Sequence, residues 1–409
     1  MKNLSRPEIL VTGMGAASSV GVGRAALLDA LLSGRSNFSV LSRPGRQFGT
    51  SFIGAEISDI DSLASLPERQ LRIMSLSTKV ALAVVDEAWR DAQLSSVDPR
   101  RIGLIIGGSN LQQRELVQTY TRYARAPAFV RPSYSTTYLD TDICAVCTEY
   151  FGIQGVAFSL GAASASGLMA VIQAATLVES GVVDVCIAVG ALTDISYWEC
   201  IALRALGAMG EHGSFTQPSQ ACRPFDRMAA GFIFGECSGA LVVERADMIK
   251  RPNVKPYVRL SGWGISVDGT RSPKPSVDGE VRAIEQAMGR AELASQMIDY
   301  VNPHGSGSPL GDAVEIQALK RCQLDGARIN ATKGILGHSL CAAGVIETIA
   351  TILQITASQL HPCVNLEDPI DPGLGWVRER AERRTIRNAL KLSFGFGGFN
   401  TAICLSRQL

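Results

Sequence analysis

Short runs of consecutive apolar residues alternate along this chain with longer stretches whose apolar positions recur at helical spacing. Ile9-Leu-Val-Thr12 and Ile102-Gly-Leu-Ile-Ile106 read as buried strands, and Ala25 to Leu32 reads as a helix. In the middle, Gly167 to Glu179 shows the helical pattern, Gly181 stops it, and Val182 to Val189 reads as the next strand. The same style returns with a strand at Tyr257 to Leu260 and a segment Ile329 to His338 that leads into a helical run, Ala342 to Ala357. Leu390 to Phe394 is a last strand entering Gly395-Phe-Gly-Gly398. Strands alternating with helices predict an α/β protein whose sheets are covered by helices.

Lys250-Arg-Pro-Asn-Val-Lys-Pro256 breaks the periodicity with two prolines and suggests two halves, 1–250 and 251–409. With 409 residues, 46% of them hydrophobic, the chain can bury a large core, and no residue-level repeat is visible. A formal charge of +1 without a long basic run gives no reason to expect nucleic acid or an anionic membrane as partner. No apolar run of about 18 residues is free of Gly, Ser or charge, so neither a membrane span nor secretion is expected, and a cytoplasmic location is.

Ten cysteines are scattered through apolar segments such as Val185-Cys186-Ile187 and Ile403-Cys404-Leu405, which suits buried thiols better than disulfides. Cys144-Ala-Val-Cys147 has the spacing of a metal or redox pair, but no second pair or nearby histidine completes a zinc site, and no metal is expected.

The chemistry concentrates in three places. Gly161-Ala-Ala-Ser-Ala-Ser-Gly-Leu168 runs from an apolar segment into a helix and puts Ser164 at a strand-to-helix elbow, where backbone N–H groups point outward. Pro303-His304-Gly305 is followed by Asp312 and Glu315, and Thr332-Lys333-Gly-Ile-Leu-Gly-His338 by Glu347. Two of only four histidines thus sit in glycine-flanked motifs. Serine with histidine admits a hydrolase, but Ala162 and Ser166 stand where the glycines of G-x-S-x-G belong. Gly13-Met-Gly15 begins a dinucleotide fingerprint that Ser18 breaks, so no nicotinamide cofactor is expected.

Val11-Thr-Gly-Met-Gly15, Arg223-Pro-Phe-Asp226, Gly231-Phe-Ile-Phe-Gly-Glu236, Asn302-Pro-His-Gly-Ser-Gly-Ser-Pro309, Thr332-Lys333 with Gly337-His338, and Ser393-Phe-Gly-Phe-Gly-Gly398 with Asn400 follow one another in order. From Leu10 to Leu405 the chain resembles the β-ketoacyl-acyl-carrier-protein synthase family. The resemblance implies a thiolase-like fold, two duplicated halves giving a five-layer αβαβα sandwich. It also implies a homodimer, a substrate carried on the phosphopantetheine arm of an acyl carrier protein, and no cofactor of the enzyme's own. Ser164, His304 and His338 take the places of the family's Cys-His-His triad; Lys333, Glu347, Asp312 and Glu315 match the network that supports it. The N–H groups of Ser164 and Phe396 would form an oxyanion hole, with Phe396 gating the acyl pocket beside Gly397 and Gly398. Phe399, where the family commonly has threonine, is expected to narrow that pocket.

Serine at position 164 is the departure that matters. A cysteine at a helix N-terminus ionises because its pKa near 8.5 can be pulled down by several units, whereas a serine hydroxyl starts far too high. Decarboxylation of a malonyl thioester needs no nucleophile, only hydrogen-bond donors for the developing enolate oxygen, and both histidines remain. The site therefore resembles the decarboxylating, Ser-for-Cys ketosynthase-like enzymes of polyketide β-branching, which supply acetyl-carrier protein to a hydroxymethylglutaryl synthase-like partner. The competing readings are a condensing synthase with an engineered Cys-to-Ser change, a non-catalytic partner like a chain-length factor, and a serine acyltransferase. Arg114, Arg122 and Arg125 are candidate contacts for an acidic carrier protein.

Overall fold

Along the central strands, neighbouring residues belong to different cores, as expected when successive side chains point to opposite faces of a sheet. Leu104 and Ile106 face one cluster while Ile105 faces another; in the second half Ile403 and Leu405 are separated in the same way from Ala402 and Cys404. A computed structural model describes residues 6–58, 71–210 and 217–408.

The first half contributes β1 (Ile9–Ser18), α1 (Arg24–Ser33), α2 (Leu76–Asp91), β2 (Ile102–Gly107), α3 (Thr141–Phe151), β3 (Ala157–Leu160), α4 (Ser166–Glu179), β4 (Val185–Gly190) and β5 (Cys237–Arg245). The second contributes β6 (Val258–Val267), α5 (Val277–Ala291), β7 (Tyr300–Asn302), α6 (Pro309–Arg321), β8 (Arg328–Ile329), α7 (Ala343–Ala357), β9 (Gly375–Trp376), β10 (Asn388–Gly395) and β11 (Phe399–Arg407). The segment 250–256 connects β5 to β6.

Across the first sheet the strands lie in the order β3-β2-β4-β5-β1, and across the second β8-β7-β10-β11-β6. Numbered within each half with β9 set aside, both read 3-2-4-5-1, with parallel pairs at the 3-2-4 side and antiparallel pairs at the 4-5-1 side. The duplication expected from the family resemblance is thus present in topology although no sequence repeat shows it. β9 extends the second half beyond β8, and β1 meets β6 only at Leu10↔Arg259 and Val11↔Val258.

Three cores separate five layers. α2 and α3 cover the outer face of the first sheet through Val80, Val84, Ile143 and Cys147. α5 and α6 cover the outer face of the second through Val281, Ile284, Ile316 and Leu319. α4 and α7 lie between the sheets, where Leu168, Val171, Val345 and Ile349 join one core with strand residues of both halves. The segment Leu340–Ala357 is long and apolar enough to cross a membrane by composition, yet 83% of it is buried inside the protein. A helix of the central layer must be apolar all round, and that accounts for its composition.

Several element ends lie beyond the predicted ones. β1 continues to Ser18 and β6 to Val267, because one long antiparallel partner, β5 and β11 respectively, carries the pairing past the apolar run. β4 starts at Val185 rather than Val182, which is half exposed before the sheet begins.

Candidate active site

β3 ends at Leu160, and the chain turns through Gly161 to Ala165 before α4 begins at Ser166. Ala163 takes a left-handed conformation, φ 48°, which costs free energy for a residue with a Cβ and persists only where surroundings impose it. The clamp is visible: the Ser166 hydroxyl accepts from the Ala162 N–H at 2.8 Å and donates to the Ala163 carbonyl at 2.6 Å. From the other half, the Ser393 hydroxyl donates to the Ser164 carbonyl at 3.1 Å. A Cβ on Gly395 would lie 2.4 Å from the Ala162 carbonyl oxygen and 3.2 Å from the Ser164 nitrogen, so only glycine lets the end of β10 run beside the elbow.

A cavity of about 960 Å³ opens above the elbow, lined by Ser164, His304, His338, Phe394, Gly395 and Phe396 among others. Gly398 and Glu315 also reach it. Residues 140 and 174 positions apart in sequence, Ser164 with His304 and with His338, therefore share one chamber, as the family resemblance implied. Phe396 is exposed at the cavity, and its N–H lies one residue from the Gly395 backbone that meets the Ser164 nitrogen.

His338 follows the short helix Lys333–Leu336 and Gly337, whose φ of 75° redirects the chain. Its Nδ1 accepts from the Leu340 N–H at 3.3 Å, which leaves the proton of the neutral ring on Nε2. His304 is fixed through its backbone: its N–H donates to Glu315 Oε1 at 2.6 Å, the Gly305 N–H to Oε2 at 2.8 Å, and the Lys333 ammonium to the His304 carbonyl. Phe232 stands against His338 and Phe394 against His304, with ring centroids 5.1 and 5.7 Å away.

Behind the imidazoles, the Glu347 carboxylate receives Lys333 on one oxygen and Lys391 on the other, each at 2.6 Å and all three buried. Burial, with Lys333 close by, holds both His304 and His338 well below the usual histidine range, so both are neutral near pH 7. Burial also pulls Lys391 down to about 8 and pushes Asp312 and Glu315 up to about 7. Asp312 accepts from the Phe225 N–H at 2.6 Å and the Gly307 N–H at 3.1 Å, tying the His304 loop to the Arg223-Pro-Phe-Asp226 turn. Among the described residues, neither imidazole hydrogen-bonds to the Ser164 hydroxyl. The chamber thus holds two neutral N–H donors and an unactivated hydroxyl, equipment for stabilising an oxyanion.

Two expectations change. Phe399 and Gly397 do not line the cavity: Phe399 starts β11 opposite Val267 and Gly395, and its ring sits against Gly397, so it cannot narrow an acyl pocket. Arg114 is no free surface charge, because its guanidinium turns inward to Asp194 at 2.7 Å and to the Pro44 carbonyl; Arg122 and Arg125 remain exposed. Cys144 and Cys147 are buried along α3, where burial pushes the Cys144 thiol up to about 11. Lys391 was missed, although a lysine inside the apolar run Leu390-Lys-Leu392 signals a paired interior charge. Asp268 and Glu280, which also line the cavity, carry no comparable signal because they lie near a turn and a helix start.

Residues 6–248 match the β-ketoacyl synthase N-terminal domain and residues 257–367 the β-ketoacyl synthase C-terminal domain. The chain belongs to the β-ketoacyl synthase family. It is 50% identical over 405 residues, covering 99% of this chain and 98% of the relative, to the polyketide biosynthesis malonyl-ACP decarboxylase PksF of Bacillus subtilis (strain 168). It is 28% identical over 418 residues, 99% of both chains, to 3-oxoacyl-[acyl-carrier-protein] synthase 2 of Coxiella burnetii. The ishigamide ketosynthase/chain length factor has the same fold, with a TM-score of 0.89, 24% identity, and coverage of 99% of this chain and 100% of that one.

Proposed function

We propose that this ketosynthase-family protein decarboxylates malonyl-acyl-carrier protein to acetyl-acyl-carrier protein in polyketide biosynthesis, without condensation. The observation that carries this reading is the pairing of two neutral imidazoles with a serine that neither of them activates. Whole-chain identity of 50% to a malonyl-ACP decarboxylase supports it and weighs against an engineered condensing enzyme or a chain-length factor.

The steps follow from the chamber. The phosphopantetheine arm enters past Phe396 and sets the thioester oxygen toward the N–H groups of His304 and His338. As the bond to the carboxylate breaks, its electron pair moves into the thioester and the oxygen becomes anionic. Donors already in place and shielded from water stabilise that charge without reorganising. Burial first, and the Lys333 and Lys391 ammonium groups after it, keep the rings neutral, while Glu347 holds the two lysines in place. Ser164 fills the acyl-acceptor position without accepting an acyl group, so the enolate ends as acetyl.

The finer reading places the product in β-branching, where acetyl-carrier protein feeds a hydroxymethylglutaryl synthase-like enzyme, and makes the protein a cytoplasmic homodimer without a cofactor. Support for a second copy comes from β3, an edge strand with Phe158 exposed and no partner on its outer side among the described residues.

Intact-mass spectrometry of malonyl-loaded carrier protein tests the reaction. Loss of CO2 with the enzyme mass unchanged, and little altered in S164A, is the expected result. An acyl adduct on Ser164 would instead mean acyl transfer.

A further inference from the structure

Helix α5 brings an acid into the chamber that none of the steps above uses. Glu280 is 1% exposed, lies in the first turn of α5, and lines the same cavity as Ser164, His304 and His338. Its Oε2 is buried with no hydrogen-bond partner, and no cation pairs with the carboxyl among the described residues.

Its surroundings are acidic. A Cβ on the adjacent Gly279 would fall 1.8 Å from Asp268 Oδ1, so Asp268 is pressed against this turn. Asp268 accepts from Asn400 Nδ2 at 3.0 Å and has Arg282 at 3.4 Å, while its Oδ2 is also buried without a donor. The charges acting on Glu280 come from Glu315, Asp268 and Asp312. An anion at Glu280 would be buried among acids with no compensating cation, which disfavours the charged form. Burial first and these neighbours second push its carboxyl well above the usual range, which favours the protonated acid.

Loss of CO2 leaves an enolate whose carbon needs an electrophile. In a condensing site an acyl carbon would supply it; here the carbon must take a proton. The imidazole N–H groups are engaged with the oxyanion, and a serine hydroxyl is far too weak an acid to be the ordinary source. We propose that Glu280 is the acid that delivers the proton to the enolate carbon. The inference rests on the decarboxylase reading. The electron pair released from the C–C bond forms the new C–H bond with the Glu280 proton, giving the acetyl thioester and a Glu280 carboxylate. Solvent reprotonates that carboxylate through the cavity mouth before the next turnover.

Microscopic reversibility supplies the test. Wild-type enzyme mixed with acetyl-carrier protein in D2O should exchange methyl hydrogens for deuterium, read by mass spectrometry. E280Q, a neutral isostere that keeps the volume, and E280A should each exchange about 100-fold more slowly or worse, the usual scale of a lost general acid. E280D, which retains an acid, should recover part of the exchange, and KM for malonyl-carrier protein should stay within about threefold in E280Q, as for a group acting on the reacting carbon alone. Exchange in E280Q and E280A at the wild-type rate would overturn the assignment while CO2 release by the wild type left the decarboxylase reading standing. Absence of CO2 release by the wild type would overturn both.

Discussion

His304 and His338 meet edge to face, with ring centroids 5.3 Å apart and planes at 81°. Neither ring can shift without disturbing the other, and both line the chamber. H304A and H338A should each lower the rate of CO2 release by about 10²–10³, the scale of one lost oxyanion donor. The double variant should lose less than the product of the two, because groups acting as a unit are not additive. A loss of less than about tenfold in either single variant would contradict the two-donor mechanism.

Glu347 is the one carboxylate seen bonding both buried lysines. E347Q leaves two interior ammonium groups facing one amide, and should cost about 3–5 kcal/mol in denaturant unfolding, as removal of one member of a buried ion pair does. Adding K391M to E347Q removes one uncompensated charge and should restore part of that loss. Equal stability of E347Q and the parent would mean that the lysines are neutral in the fold.

His361, wholly buried, has Nε2 3.1 Å from the Thr332 hydroxyl and Nδ1 2.9 Å from the Pro362 carbonyl. Burial holds it down to about 4 from an ordinary 6.5. A folded value below the unfolded one means that the unfolded chain takes up the proton first as pH falls. The stabilisation is complete above about pH 6.5 and is lost progressively toward about pH 4, for a total of about 3 kcal/mol. Unfolding free energies should therefore fall more steeply with acid in the parent than in H361N, and parallel curves would refute the assignment.

Arg122 and Arg125 are exposed, in contrast to Arg114. If an acidic carrier protein docks on this face, R122E/R125E should raise KM for malonyl-carrier protein about tenfold or more, with a shallower salt dependence, and leave turnover of a small malonyl thioester unchanged. An unchanged KM would move the docking face elsewhere.

Much of this was legible in the chain, for reasons that differ from residue to residue. His304 and His338 announce themselves through glycine-flanked motifs, because tight turns beside a chamber demand glycine and leave a local trace, and Ser164 through its place between an apolar run and a helical one. The central helix from Ala343 announces itself by being apolar all round. Glu280 does not, since an acid in a first helical turn is what any solvent-facing helix shows, and its burial comes from loops distant in sequence. Arg114 misled for the same reason: an arginine in a polar stretch looks exposed until Asp194, 80 residues away, arrives beside it. Phe399 misled through its place in a motif, where strand alternation sends its ring away from the chamber.

Where α4 crosses α7, a Cβ on Gly344 would sit 2.2 Å from the Leu168 nitrogen, and one on Gly167 2.7 Å from the Cys341 carbonyl oxygen. A contact made by bare backbone has no rotamer to swing and no side chain to yield. The seam between the halves therefore cannot act as a hinge, and the chamber does not open like jaws to admit its cargo. Any motion that admits a ligand must then come from the segments at the chamber's rim, where Phe396 is exposed, and not from a parting of the halves.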